Sequence, residues 1–221
     1  KYGTAVTTAY AFLRRHVRTE RGALVGGFLY AFSGIFSVNI VFQHFHDAMC
    51  FFPLYLLSLE QFVRAERRGK RPDFFRDRLF FVGMTTLMAC INYFFFYEQV
   101  VFLILGYFFC LVPGSERTPK EILREVLHLL LYGVLGLGVI AFYLIQILDV
   151  LSGSSRIADM LSGWDLVRYS EPTTYLAILK SLFFVPDIIG RGTLFTGDAV
   201  KNSSLSAYLP MFALTGVVAY F

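Results

Sequence analysis

Charge is scarce in this 221-residue chain: Asp, Glu, Lys and Arg make up 16% of it, against about 25% in a soluble domain. That excludes an ordinary hydrated surface over most of the length. Cysteine is scarce too. Cys50, Cys90 and Cys110 sit within apolar runs without CxxC spacing, which excludes a disulfide framework or a zinc knuckle and leaves small packing residues. No nucleophile elbow, P-loop or glycine-rich dinucleotide loop is present, and no period of roughly 20–50 residues marks a repeat array. No secretory signal pattern opens the chain. It begins at Lys1 and stops at Phe221 inside an apolar run, so it reads as an internal piece of a longer protein.

What is abundant is oil. Hydrophobic residues account for 56% and aromatics for 18%, and mean hydropathy is +0.59. About 20 apolar residues cross a bilayer as a helix, and several such runs are present. The expected class is all-α: a polytopic transmembrane helical protein with about six to seven spans. The expected organisation is a transmembrane region over 1–148, an extracytoplasmic loop over 149–207, and the start of a further, truncated span at 208–221. Within the loop, residues 173–187 have apolar positions at helical spacing, which predicts an amphipathic helix lying on the membrane.

Net charge is +4 and the pI about 9.0, but the distribution matters more than the sum. Four arginines face one glutamate over 14–21, seven Lys/Arg face three acids over 64–78, and three basic residues lie in 113–125. These segments alternate along the chain. Lys and Arg in short loops mark the cytoplasmic side, so segments 43–47, 92–99 and 149–207 are expected on the outer face. The basic pI is therefore a topology signal, and no nucleic-acid partner is expected.

That orientation puts "FQHFHD" (42–47) outside, at the tip of an expected tight hairpin. His44, His46 and Asp47 are N and O donors of the kind that hold catalytic zinc. On a helix, however, His44 and His46 point about 200° apart and cannot share a metal; only an extended turn would bring them to one face. A carboxylate-bound magnesium or manganese ion remains open as a cofactor. Asp47 also suits a general base, and the imidazoles suit a phosphate, while the plain alternative is polar capping of a turn. The second outer turn, "NYFFFYEQ" (92–99), adds Asn92, Tyr93, Tyr97 and Glu98 as candidate substrate contacts, or as an aromatic belt. Arg156 in the outer loop is a candidate phosphate ligand, since its planar fork donates two hydrogen bonds. Glu60 and His128 fall near cytoplasmic span ends, and no charge sits mid-span.

Three phrases carry a resemblance: "ALVGGFLYAFSGIF…FQHFHDAMCFFPLYLLSLEQF", "ACINYFFFYEQVVFLILGYFF" and "SSRIADMLSGWDLVRYSEPTTYLAILKSLFFVP". In order and spacing, over most of 22–187, they resemble the bacterial YfhO family of membrane proteins. The resemblance implies a GT-C type glycosyltransferase of the cytoplasmic membrane. Its donor would be a polyprenyl-phosphate sugar, a hexose such as glucose. Its acceptor would be a cell-envelope polymer such as lipoteichoic acid on the extracytoplasmic face, with membrane lipids as surroundings. The family's "HFxDA" feature falls on His44, Phe45, Asp47 and Ala48, with His46 at the variable position, and "NYFFFY" falls on Asn92 to Tyr97. Asp47 and His44 are the expected catalytic pair; His46, Asn92, Tyr93, Tyr97, Glu98 and Arg156 are the expected substrate contacts. By the GT-C layout, a carboxylate of the first outer loop would precede Lys1. The competing readings are a flippase for lipid-linked saccharide, which needs a polar path through the spans, and a non-catalytic scaffold of envelope assembly.

Overall fold

The computed structural model describes residues 1–33, 36, 43–68, 74–113, 115–152 and 173–183. All regular structure among them is helical. Helix α1 (Tyr2–Leu13) is followed by a turn and α2 (Glu20–Ala31). Thr19 starts α2 in extended conformation, its hydroxyl accepting from the Gly22 amide at 3.1 Å, the usual way to satisfy a free helix donor. Gly27 permits the close approach of α1 and α2: a Cβ there would lie 2.9 Å from the Val6 carbonyl oxygen.

Helix α3 (Gln43–Arg68) has 26 residues, about 39 Å at 1.5 Å per residue. Lys1 pairs with Asp47 near its start and His16 with Glu60 near its end. Hence α1 and α3 run parallel, with α2 antiparallel to both. Helix α4 (Phe74–Ile91) returns along α3. After a corner at Asn92, α5 (Tyr93–Gly106) descends and continues as one π-helical turn, Tyr107–Leu111. Helix α6 (Pro119–Val139) opens with a capping box between Thr118 and Glu121. It packs on α4, where Gly136 is required because a Cβ would meet Thr85 at 2.9 Å and the Val82 oxygen at 3.0 Å. Helices α7 (Ala141–Ser152) and α8 (Thr173–Phe183) complete the described part. The main core joins α3, α4, α5 and α6 around Tyr55, Phe62, Phe81, Met88 and Tyr107.

Pro53 lies inside α3. It has no N–H, so the Met49 carbonyl four residues back loses its helical donor. Three neighbouring helices serve the carbonyls there. Tyr30 on α2 donates to the Met49 oxygen at 2.7 Å. Thr8 on α1 donates to the Cys50 oxygen at 2.6 Å, and Gln99 on α5 donates to the Ala48 oxygen at 3.3 Å. A proline in a buried helix is tolerated when a neighbouring side chain replaces the missing bond, as Tyr30 does here.

Several boundaries differ from the sequence expectation. Residues 43–47 are the first turn of α3 and not a hairpin loop. The turn expected over 92–99 is confined to Asn92, and residues 93–99 are helical. The run 126–148 is divided, α6 ending at Val139 and α7 starting at Ala141, and residues 149–152 are helical. The amphipathic segment forms a helix over Thr173–Phe183; the rest of the expected outer loop and the run at 208–221 lie outside the described residues. Of the cysteines, Cys50 is buried while Cys90 and Cys110 are exposed. Among the described residues, α6 is the one helix long and apolar enough to cross a membrane. Helices α1, α2 and α7 have 12 residues each, about 18 Å against a hydrocarbon core of about 30 Å. Both ends of α3 and the first turns of α4 carry charge, which leaves shorter apolar stretches.

Candidate functional site

Asp47 and His46 stand on the first turn of α3, and the structure gives them different surroundings. The Asp47 carboxylate is half-buried, its side chain 40% exposed, and lies 2.8 Å from Lys1 Nζ. His46 is 4% exposed. Its Nε2 is 2.9 Å from the Phe36 carbonyl oxygen, and its ring packs against Phe36 at 5.2 Å and Tyr2 at 5.9 Å. The His46 imidazole is enclosed in an aromatic cluster and bonded to backbone. His44 lies one residue into α3. The side chain of His44, and Arg156 altogether, lie outside the described residues. Among the described residues no three His, Cys, Asp or Glu side chains converge for a metal ion.

The second expected turn does reach this end. Phe95 meets Phe45 edge-on at 4.9 Å, and Gln99 reaches Ala48. Asn92, however, acts on its own helix: its Oδ1 accepts from the Phe95 amide at 3.2 Å, an N-cap for α5. Phe95 and Gln99, four apart, form the face of α5 that meets α3. Tyr93 and Tyr97 are exposed, Tyr97 by 75%, and Glu98 is exposed as well. The two segments converge through Phe95 and Gln99, while Tyr93, Tyr97 and Glu98 are exposed. Gln99 was not a sequence-level candidate. It is 2% exposed, and its Oε1 has no hydrogen-bond partner among the described residues. The signal for it was a lone amide four residues from an aromatic that packs on α3.

The opposite end holds a charge network that the sequence presents as loop charges. Glu125 on α6 is 5% exposed. It receives both Arg67 Nε and Nη2 at 3.2 Å and the Tyr107 hydroxyl at 2.9 Å. Glu66 pairs with Arg78 and with His128 Nδ1, the latter at 3.0 Å. The Arg78 guanidinium also lies 5.3 Å from the Tyr132 ring centre, a cation–π contact. Glu60 is held by His16 at 2.6 Å and Arg64 at 3.6 Å. Each buried carboxylate therefore has a cation, as burial of charge requires. These pairs tie the ends of α1, α3, α4, α5 and α6 together. From Asp47 to Arg64 along α3 is 17 residues, about 25 Å, so the two ends are distinct places.

No curated protein and no solved structure matches this chain. The family model described as bacterial membrane protein YfhO matches residues 1–221. With the whole length matched, the chain belongs to the YfhO family of bacterial membrane proteins.

Proposed function

We propose that this chain is part of a multi-pass glycosyltransferase of the GT-C type, which transfers a hexose from a polyprenyl-phosphate carrier to a cell-envelope polymer on the extracytoplasmic face. Asp47 carries the reading. It is a half-exposed carboxylate on the turn of α3 that lies at the end away from the basic segments, and Lys1 fixes its orientation at 2.8 Å. The charge bias of the loops supports an outward orientation for that end. The multi-pass reading is supported by family membership and by the apolar face of α6, where Leu127, Leu130, Leu131 and Val134 are exposed by more than half. Such a face suits lipid.

In this reading the Asp47 carboxylate accepts the acceptor hydroxyl's proton as its oxygen attacks the sugar's anomeric carbon. The polyprenyl phosphate departs with the electron pair of the broken C–O bond, and the sugar's configuration inverts. The sugar is a hexose such as glucose and the acceptor a polymer such as lipoteichoic acid. Asp47→Asn keeps the shape and removes the base. The expected outcome is normal membrane expression with loss of the transferred sugar, measured by compositional analysis of envelope polymers; unchanged sugar content would refute the assignment.

A further inference from the structure

At the basic end, about 25 Å along α3 from Asp47, the structure holds a cavity of about 260 Å³ with an unusual lining. Arg64 and Arg68 come from one face of α3, Arg15 from the α1–α2 turn and Arg76 from the first turn of α4, with Gln61 and Asp77 beside them. We propose that this cavity binds a phosphate group presented from the cytoplasmic side of the membrane.

Four arginines line the cavity, and the two nearby acids offset only part of their charge. Asp77 is 8% exposed and Glu60 5% exposed, and both are already engaged. Asp77 lies 3.4 Å from Arg76, and Glu60 is 2.6 Å from His16 and 3.6 Å from Arg64. Arg15 and Arg68 have no ion pair or side-chain hydrogen bond with another described residue. The cavity is thus open to solvent with surplus positive charge. Nearby cations repel one another unless an anion sits among them. Guanidinium forks match phosphate oxygens two at a time. The first turn of α4 adds the positive end of a helix dipole. At roughly 30 Å³ per water the space accommodates about eight waters, enough for a hydrated phosphate group.

Two sources share this chemistry: the headgroup of an anionic lipid in the cytoplasmic leaflet, where such lipids attract basic residues, and a soluble phosphate. The proposal does not rest on the sugar-transfer reading, and its test does not use Asp47. The full chain in neutral detergent is titrated with phosphatidylglycerol, with phosphatidylcholine, and separately with inorganic pyrophosphate. Bound species are read by native mass spectrometry and the thermal midpoint in parallel.

Preferential retention of phosphatidylglycerol is expected, with binding weakened about tenfold or more in Arg15→Gln/Arg68→Gln, since each lost charged hydrogen bond is worth about that factor. Neither arginine has a described partner, so this double variant should fold; Arg64→Gln provides a second reading of the same site. If pyrophosphate binds with the same dependence on these arginines and phosphatidylglycerol does not, the phosphate site stands and its source is soluble. Arg18→Gln and Arg21→Gln, at the same end but outside the cavity lining, should change nothing. The proposal is overturned if neither phosphate ligand binds in preference to phosphatidylcholine, if Arg15→Gln/Arg68→Gln leaves binding intact, or if the Arg18 and Arg21 variants weaken it equally.

Discussion

The bracket around Pro53 allows a quantitative test. The Met49 carbonyl has no helical donor because the residue four positions on is proline, and the Tyr30 hydroxyl stands in at 2.7 Å. Tyr30→Phe removes that donor and leaves the carbonyl in a part-buried site. The loss should be about 1–3 kcal/mol, the range for a buried acceptor left unpaired. In a Pro53→Ala background the new amide can donate to Met49 itself, so Tyr30→Phe should then cost under about 0.5 kcal/mol. The coupling between the two positions is therefore expected at about 1–2 kcal/mol, well above the additivity error for independent sites. Denaturant titration of the four proteins in one detergent, followed by near-ultraviolet circular dichroism, measures it. An equal cost of Tyr30→Phe in both backgrounds would show that Tyr30 does not replace the missing bond.

Two further variants probe the frame. Glu125→Leu strips Arg67 and Tyr107 of their shared acceptor; with Arg67 still part-exposed at 23%, the loss should be about 2–4 kcal/mol, and Arg67→Met in addition should recover part of it, as read by thermal unfolding. Gly136→Ala forces a Cβ against the Val82 oxygen at 3.0 Å and the Thr85 Cβ at 2.9 Å. It should destabilise by about 1–3 kcal/mol, whereas Gly133→Ala, with open space around it inside the same helix, should stabilise by about 0.5–1 kcal/mol in the same assay.

The all-helical class and the alternation of basic segments were legible in the sequence, because hydropathy and Lys/Arg runs are local signals. The places where helices break were less so. Asn92 is one polar residue in an apolar run and barely lowers its hydropathy, so the turn reads across 92–99, as far as Glu98–Gln99. Those two residues are instead consecutive positions on one helix, with Gln99 turned inward to Ala48 and Glu98 outward. Ile140 ends α6 with φ −111° and ψ 19°, and an isoleucine gives no warning of that; Gly136 and Gly138 were the available hint. The charge network stayed hidden for a different reason. Arg67 and Glu125 are 58 positions apart, and no window along the sequence shows that loop charges at three boundaries fold back onto one another.

The same distinction bears on Asp47. By sequence it belonged to a loop tip, where a carboxylate would sample many positions. The structure sets it on a helical turn whose following carbonyls, at Ala48, Met49 and Cys50, are held by α5, α2 and α1 respectively. His46, one residue before it, is locked to the Phe36 carbonyl. A reactive group works best when its supporting residues are themselves fixed by packing and hydrogen bonds. The residues that most resembled chemistry in the sequence thus differ in setting: Asp47 keeps a partly open carboxylate, and His46 is buried beside the backbone bonds made by Tyr30, Thr8 and Gln99. Pro53, an apparent flaw in a long helix, accounts for the Tyr30 bond to the Met49 carbonyl.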